Sequence, residues 1–284
     1  MKKITIFSIG FLSIFSIFHL IDLDDKLLFD IFSKNSQNMI SHKENIFYFK
    51  EIKEIEENLS GITYSPKTNT LFAITNAPRD IYELDKQGNV LRIIELKGFR
   101  DTEDITYIKD DLFAIVDEDL SGFYIVKITN ETSLIDRNDS IKNFMIDVRT
   151  LENFGLEGIS YDLKNDIFYL VNERNPKKVI TVKGFMNSNP IVINEKFEIV
   201  ENNEYLGDFS AINFDNKSKN IYILSEESRI LGRVDDKKSF SKFLDLEDNK
   251  TSSNMKNPEG ITKDSDGNIY IVGEPNHFLS IKKR

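Results

Sequence analysis

A chain of 284 residues, 40% hydrophobic and 30% charged, is long enough to bury a substantial core. Its formal net charge of -10 and pI of about 5.0 argue against a nucleic-acid partner, because phosphate binding needs clustered Lys and Arg. Cysteine is absent, which excludes disulfides, Cys-ligated zinc, a thiol nucleophile and a lipobox anchor.

Lys2 and Lys3 precede "ITIFSIGFLSIFSIFHLI" (4–21), an uncharged run of 18 residues, and "DLDDK" follows it. A run of this length is near the minimum for spanning hydrocarbon and exceeds a usual signal-peptide core. The lysines stay in the cytoplasm by the positive-inside tendency, which exports everything after Leu23. No small-x-small cleavage site follows. Residues 1–22 therefore read as an uncleaved signal anchor, a single-pass segment of the inner membrane, in preference to a cleaved signal or a buried core helix. Residues 23–44, with "SKNSQN" at 33–38, read as a polar tether, and 45–284 as a domain facing the periplasm or exterior.

The body repeats itself. "LSGITYSPKTNTLFAITN" from Leu59, "TEDITYIKDDLFAIVDED" from Thr102 and "LEGISYDLKNDIFYLVNE" from Leu156 align without gaps at their starts. "FSAINFDNKSKNIYILSEE" from Phe209 and "PEGITKDSDGNIYIVGE" from Pro258 complete the set, at offsets of 43, 54, 53 and 49 residues. Each opens with a Gly/Asp/Ala–Ile pair: 61–62, 104–105, 158–159, 211–212 and 260–261. A short strand such as "GITY" meets a turn rich in Asn, Asp, Lys and Gly, then an apolar run such as "LFAIT". Aromatic and β-branched runs bounded by turn signals predict strands, and the turns suit hairpins. Third strands ("IYELD", "FYIVKI", "VITV", "ILGRV") follow, with a fourth in most units ("VLRIIEL", 90–96). Four strands in roughly 40–50 residues, repeated, predict an all-β fold, a β-propeller of four-stranded blades.

The last unit ends at Arg284 after three strands, while "NIFYFKEI" (45–52) is a lone strand ahead of the first unit. Pairing the two closes a ring of five blades. The alternative, a sixth and degenerate blade, would have to lie in 129–155 or 183–207.

In such a blade the first strand is innermost and the second antiparallel to it, so the start of one and the end of the other share a mouth of the channel. Ser60, Glu103, Glu157, Ser210 and Glu259 precede the pairs; Asn76, Glu118, Glu173, Glu226 and Glu274 follow the second strands. Asn58, Asp101, Gly155, Asp208 and Asn257 lie slightly upstream. Carboxylates about 4–6 Å apart repel by about a kcal/mol or more each at protein-like dielectric. Protonation, the nearby Arg79, Arg174 and Arg229, or a hard cation would relieve that repulsion, and oxygen ligands on short turns are the set that Ca²⁺ prefers. Glu103, Glu157, Glu173, Glu259, Glu274, Glu118 and Glu226 are thus the candidate metal ligands. The bland alternative is solvated turn residues duplicated with the blades.

Other signals are weaker. "DSDGN" (264–268) lacks the distal Glu of a calcium loop and reads as a hairpin turn. His19, His42 and His277 are scattered and make neither a zinc cluster nor a Ser-His-Asp set. Alternating Tyr and Phe read as inter-blade core.

The stretch from Leu59 through "TEDITYI", with "LEGISYD…FYLVNER" and "NPEGIT…IYIVGEPN", resembles the SdiA-regulated (YjiK-type) family of bacterial envelope proteins over about residues 46–283. The resemblance implies an N-terminal membrane segment, a β-propeller and envelope location, and brings no established activity. With phytase-like propellers it also suggests calcium, carried onto Glu103, Glu157, Glu259, Glu173 and Glu274. The chain departs from the pattern at Ser60, Asp104, Ser210 and Ala211, so no ligand carries onto the first and fourth blades.

Two functions follow. One is a membrane-anchored module that binds a small molecule or protein at a calcium-dependent mouth. The other is a calcium-dependent hydrolase of the phytase-like or lactonase-like type, with a Glu as general base. A phosphate substrate would need a basic clamp that the mouth positions do not supply, which favours binding.

Overall fold

The computed structural model describes residues 40, 44–146, 155–201, 206–235, 240–247 and 255–284. The expected anchor and most of the tether lie outside the described residues, among which no helix is long and apolar enough to cross a membrane.

β1 (Asn45–Glu51) opens the body but belongs to its end. The first blade orders β2 (Leu59–Ser65), β3 (Thr70–Thr75), β4 (Asp80–Leu84) and β5 (Val90–Lys97). The second uses β6 (Thr102–Lys109), β7 (Leu112–Asp117) and β8 (Gly122–Lys127), with β10 (Lys142–Met145) outermost. Between them in sequence, β9 (Leu134–Asp136) returns to the first blade and adds to β5 in parallel. The third blade runs β11 (Leu156–Asp162), β12 (Ile167–Asn172), β13 (Lys178–Lys183) and β14 (Val192–Glu195), followed by the short α1 (Phe197–Glu201). The fourth runs β15 (Ala211–Phe214), β16 (Ile221–Ser225), β17 (Ile230–Val234) and β18 (Phe240–Asp245). The fifth runs β19 (Asn257–Lys263), β20 (Ile269–Glu274) and β21 (His277–Lys283), and β1 completes it.

β1 pairs antiparallel with β21 in an unbroken register from Asn45↔Lys283 to Glu51↔His277. The ring is therefore five four-stranded blades, closed by the start of the domain against its end. No sixth blade occupies 129–155 or 183–207; their described residues hold β9, β10, β14, α1 and a 3-10 turn at Arg137–Asp139.

The apolar runs have a simple cause. Each blade is covered on both faces, so its middle strands bury consecutive residues and lose the alternation of a half-exposed sheet. Five clusters fill the five interfaces. Phe72 and Ile74 meet Phe113 and Ile115 between the first two blades. Phe123 meets Phe168 between the next two, at 4.7 Å between ring centroids. Val171 packs with Ile223, and Leu224 with Ile271. Tyr270 and Val272 meet Leu71 and Ala73, which joins the last blade to the first. Outer strands such as β5 alternate, because one face of each sees water.

Candidate functional site

The innermost strands β2, β6, β11, β15 and β19 converge on the axis, and the Gly/Asp–Ile pairs fix how closely. A Cβ on Gly260 would lie 2.8 Å from Gly61 Cα, and one on Gly158 2.9 Å from Ala211 Cα. At this waist only Asp104 carries a longer side chain. Its Oδ1 accepts the Ile105 N–H at 2.8 Å and its Oδ2 the Ile159 N–H at 2.8 Å, and the Ile62 N–H also donates to it. Burial pushes the Asp104 carboxyl well up, against those three amides. The carboxyl plugs the channel.

On one side of the plug lies the acidic mouth. Register shifts fall between Leu59 and Gly61, Thr102 and Ile105, Leu156 and Gly158, and Pro258 and Gly260. Each is a bulge that leaves Ser60, Glu103, Glu157 or Glu259 out of the ladder, and a bulge re-aims the side chain it carries. The residues after the second strands are tied to the same rim: Asn76, Glu118 and Glu173 donate their N–H groups to the carbonyls of Asn58, Asp101 and Gly155 at 3.2, 2.8 and 3.0 Å.

Six of the seven sequence-predicted glutamates, 103, 157, 173, 226, 259 and 274, line one cavity of about 160 Å³, together with Asp208, Ser60 and Ser210. Glu118 does not line it. Its Oε1 accepts the Gly155 N–H at 2.6 Å, and it groups instead with Asp101 and Glu103, whose carboxylate oxygens and its own lie within 4.8 Å of one another. Asn76 Nδ2 approaches Glu103 Oε1 at 3.4 Å. The cavity-lining Asp208 was visible only as an upstream position.

Burial and then neighbouring carboxylates hold Glu103, Glu157 and Glu259 well above the usual carboxylate range. Burial raises Glu173, opposed by Arg174, and pushes Glu226 up to about 7, with Asp208 adding to it. Glu274 is raised by burial and by Glu57. Of the three arginines expected to neutralise the mouth, Arg174 enters, contacting Glu173 and lying 3.6 Å from Asp208. Arg229 turns away to Glu247 at 2.9 Å, and Arg79 donates to the Arg100 carbonyl at 2.6 Å. The carboxylates of Glu157 and Glu259 have no hydrogen-bond or ion-pair partner among the described residues. The donor set is hard, oxygen-only and under-neutralised, which fits a divalent cation such as Ca²⁺.

Beyond the plug, Thr63, Thr106, Ser160, Asn213 and Thr262 line a second cavity, walled by Tyr64, Tyr107, Tyr161 and Phe214. "DSDGN" is the hairpin turn between β19 and β20: Asp264 Oδ1 accepts the N–H groups of Asp266 and Asn268 at 3.0 and 2.9 Å.

The fold is similar to that of a gluconolactonase from Xanthomonas campestris, at 9% identity and a TM-score of 0.50 over 81% of this chain and 88% of that one. A luciferin-regenerating enzyme gives 8% and 0.51 over 84% and 95%. A protein of unknown function from Bacteroides thetaiotaomicron gives 12% and 0.51 over 81% and 60%. At such identities the likeness shows the fold alone. The family model for SdiA-regulated proteins matches residues 34–282, so the chain belongs to the SdiA-regulated family.

Proposed function

We propose that this protein is an envelope-anchored propeller whose acidic mouth binds a divalent cation, best Ca²⁺, and presents it to a ligand or partner. The observation that carries this reading is the convergence of Glu103, Glu157, Glu173, Glu226 and Glu259 on one small cavity. These carboxyls are held away from ionisation by burial and by one another, which is the state a cation relieves. Asp101, Glu103 and Glu118 group beside the cavity, and Glu103 belongs to both sets. The anchor at 4–21 rests on the apolar run and its flanking charges.

A second reading, calcium-dependent hydrolysis, is favoured by Glu226. In the calcium-free protein its carboxyl is raised to about 7, and a cation held by its neighbours would bring it down to the ionised form that a general base needs.

Isothermal titration of Ca²⁺ into full-length protein in lipid nanodiscs tests the binding. Saturable binding with proton release is expected, and Glu157→Gln with Glu259→Gln should weaken it by ~10-fold or more, since hard-cation affinity follows ligand charge. Absence of binding at millimolar calcium overturns the proposal. Lactone or phosphomonoester turnover that needs calcium and is lost in Glu226→Gln would select the hydrolase.

A further inference from the structure

We infer that the far end of the channel is a second site of different chemistry: a cup for a small, uncharged, hydroxyl-rich molecule of the monosaccharide or polyol class. Its floor is the ring Thr63, Thr106, Ser160, Asn213 and Thr262, one residue per blade, in a cavity of about 220 Å³. Three of these hydroxyls tie neighbouring blades together. Thr63 Oγ1 accepts the Tyr107 N–H at 3.0 Å, Ser160 Oγ the Phe214 N–H at 2.8 Å, and Thr262 Oγ1 the Tyr64 N–H at 3.0 Å.

An oxygen that accepts in this way still has a proton to give. None of the three donates to a protein acceptor among the described residues, although they are only 6%, 3% and 3% exposed. Thr106, at 6%, has no such partner at all, and Asn213 Oδ1 is buried without one. Hydroxyl protons with no protein acceptor can be given to a ligand entering from the open end, and the buried Asn213 Oδ1 can accept from it.

Charge decides the class. Each of the cavity's two carboxylates already has a lysine: Lys263 Nζ lies 2.6 Å from Asp215 and Lys86 Nζ 3.0 Å from Asp264. Lys217, on the Ser265 carbonyl at 3.4 Å, is the remaining charged group of the lining, so its two carboxylates and two lysines sum to zero and no net charge draws an ionic ligand. The ring faces are also committed. Lys86 sits 5.1 Å over Tyr64, and Phe214 is stacked on Tyr169 at 5.1 Å with Lys219 5.3 Å from its centroid. That removes a cage for a quaternary ammonium. Neutral hydroxyl and amide groups on apolar walls remain, the complement of a molecule whose own hydroxyls both accept and donate. The cavity lies below the roughly 300 Å³ at which drug-sized pockets begin, which suits one sugar ring or a short polyol.

Saturation-transfer difference NMR on the full-length protein in lipid nanodiscs tests this, with D-glucose, D-ribose and myo-inositol as probes and acetate and tetramethylammonium as charged controls. Transfer to at least one neutral probe is expected. Thr106→Val touches none of the three inter-blade hydrogen bonds and should weaken it about five-fold, the worth of one neutral hydrogen bond. Asn213→Ala is the second variant, and the melting temperature of each reports folding. Glu157→Gln with Glu259→Gln, beyond the plug, should leave the transfer unchanged. Transfer to no neutral probe, transfer equal in Thr106→Val and Asn213→Ala to the parent, or stronger transfer to a charged control overturns the inference.

Discussion

The two ends of the channel are built from the same five strands, a few residues apart, and differ in one respect: whether their charges are matched. At the acidic mouth, seven carboxylates share a cavity with Arg174 at its edge. At the far end Asp162, Asp215 and Asp264 each face a lysine. A propeller fixes positions, and the residue placed at each position decides the chemistry. Asp104 between them keeps the two chemistries apart.

The largest expected effect removes both ends at once. Deleting 45–51 strips the fifth blade of its closing strand and exposes the β21 edge. The cooperative melting transition followed by circular dichroism should vanish; a chain that still melts sharply would mean the ring does not need β1.

Breaking the partition comes next. Asp104→Asn keeps the shape of the plug but turns a donor toward backbone N–H groups, and should cost about 1–3 kcal/mol in denaturant unfolding. A cost below about 0.5 kcal/mol would put the substitution among ordinary surface changes and deny the plug its role.

pH should separate the ends by sign. Glu226 is raised from 4.5 to about 7 by burial and Asp208, so its contribution is full below the unfolded value and lost as pH rises through about 7. Glu103, Glu157 and Glu259 shift in the same direction. Calcium-free protein should therefore melt lower near pH 7.5 than near pH 5, and Glu226→Gln should flatten part of that slope. At the far end, burial raises Asp215, but Lys263 and Ser218 bring it down to about 2. That contribution is present above the unfolded 3.8 and lost only as pH falls toward 2, so Lys263→Met should lower stability above about pH 4 and flatten the acid limb. The smallest effect belongs to Thr106→Val, which should move stability by no more than about 0.5–1 kcal/mol and leave calcium binding untouched.

Much of the ring was legible because duplication left the Gly/Asp–Ile pairs in place, and because a missing last strand and a spare first strand imply closure. The return of β9 to the first blade was not, since three residues pairing in parallel leave no periodic signal. Position 104 reads as a departure from Gly, and its role emerges only when three N–H groups are seen to surround it. The glutamates recur at matching positions of the repeats, while the bulges that aim them lie in pairing register, which a sequence does not display. Glu118 shares its position with Glu173 but turns to the Gly155 amide. The far cup is not legible in the same way: Thr63, Thr106, Ser160, Asn213 and Thr262 recur at a fixed offset from each pair, yet small polar residues on a strand read as filler. Tyr64 and Tyr107, expected in the core, are only half-buried at its wall.

The most direct measurement is thermal melting of the parent, Glu157→Gln/Glu259→Gln and Thr106→Val proteins with and without Ca²⁺ near pH 7. At about 100-fold excess over its dissociation constant, a ligand adds about 2.7 kcal/mol to the folded state. For a domain of this size that corresponds to a rise of about 5–10 °C. The parent and Thr106→Val should show the rise, and the double glutamate variant should lose it. No rise in the parent at millimolar calcium, or an equal rise in the double variant, would contradict a cation site at the acidic mouth.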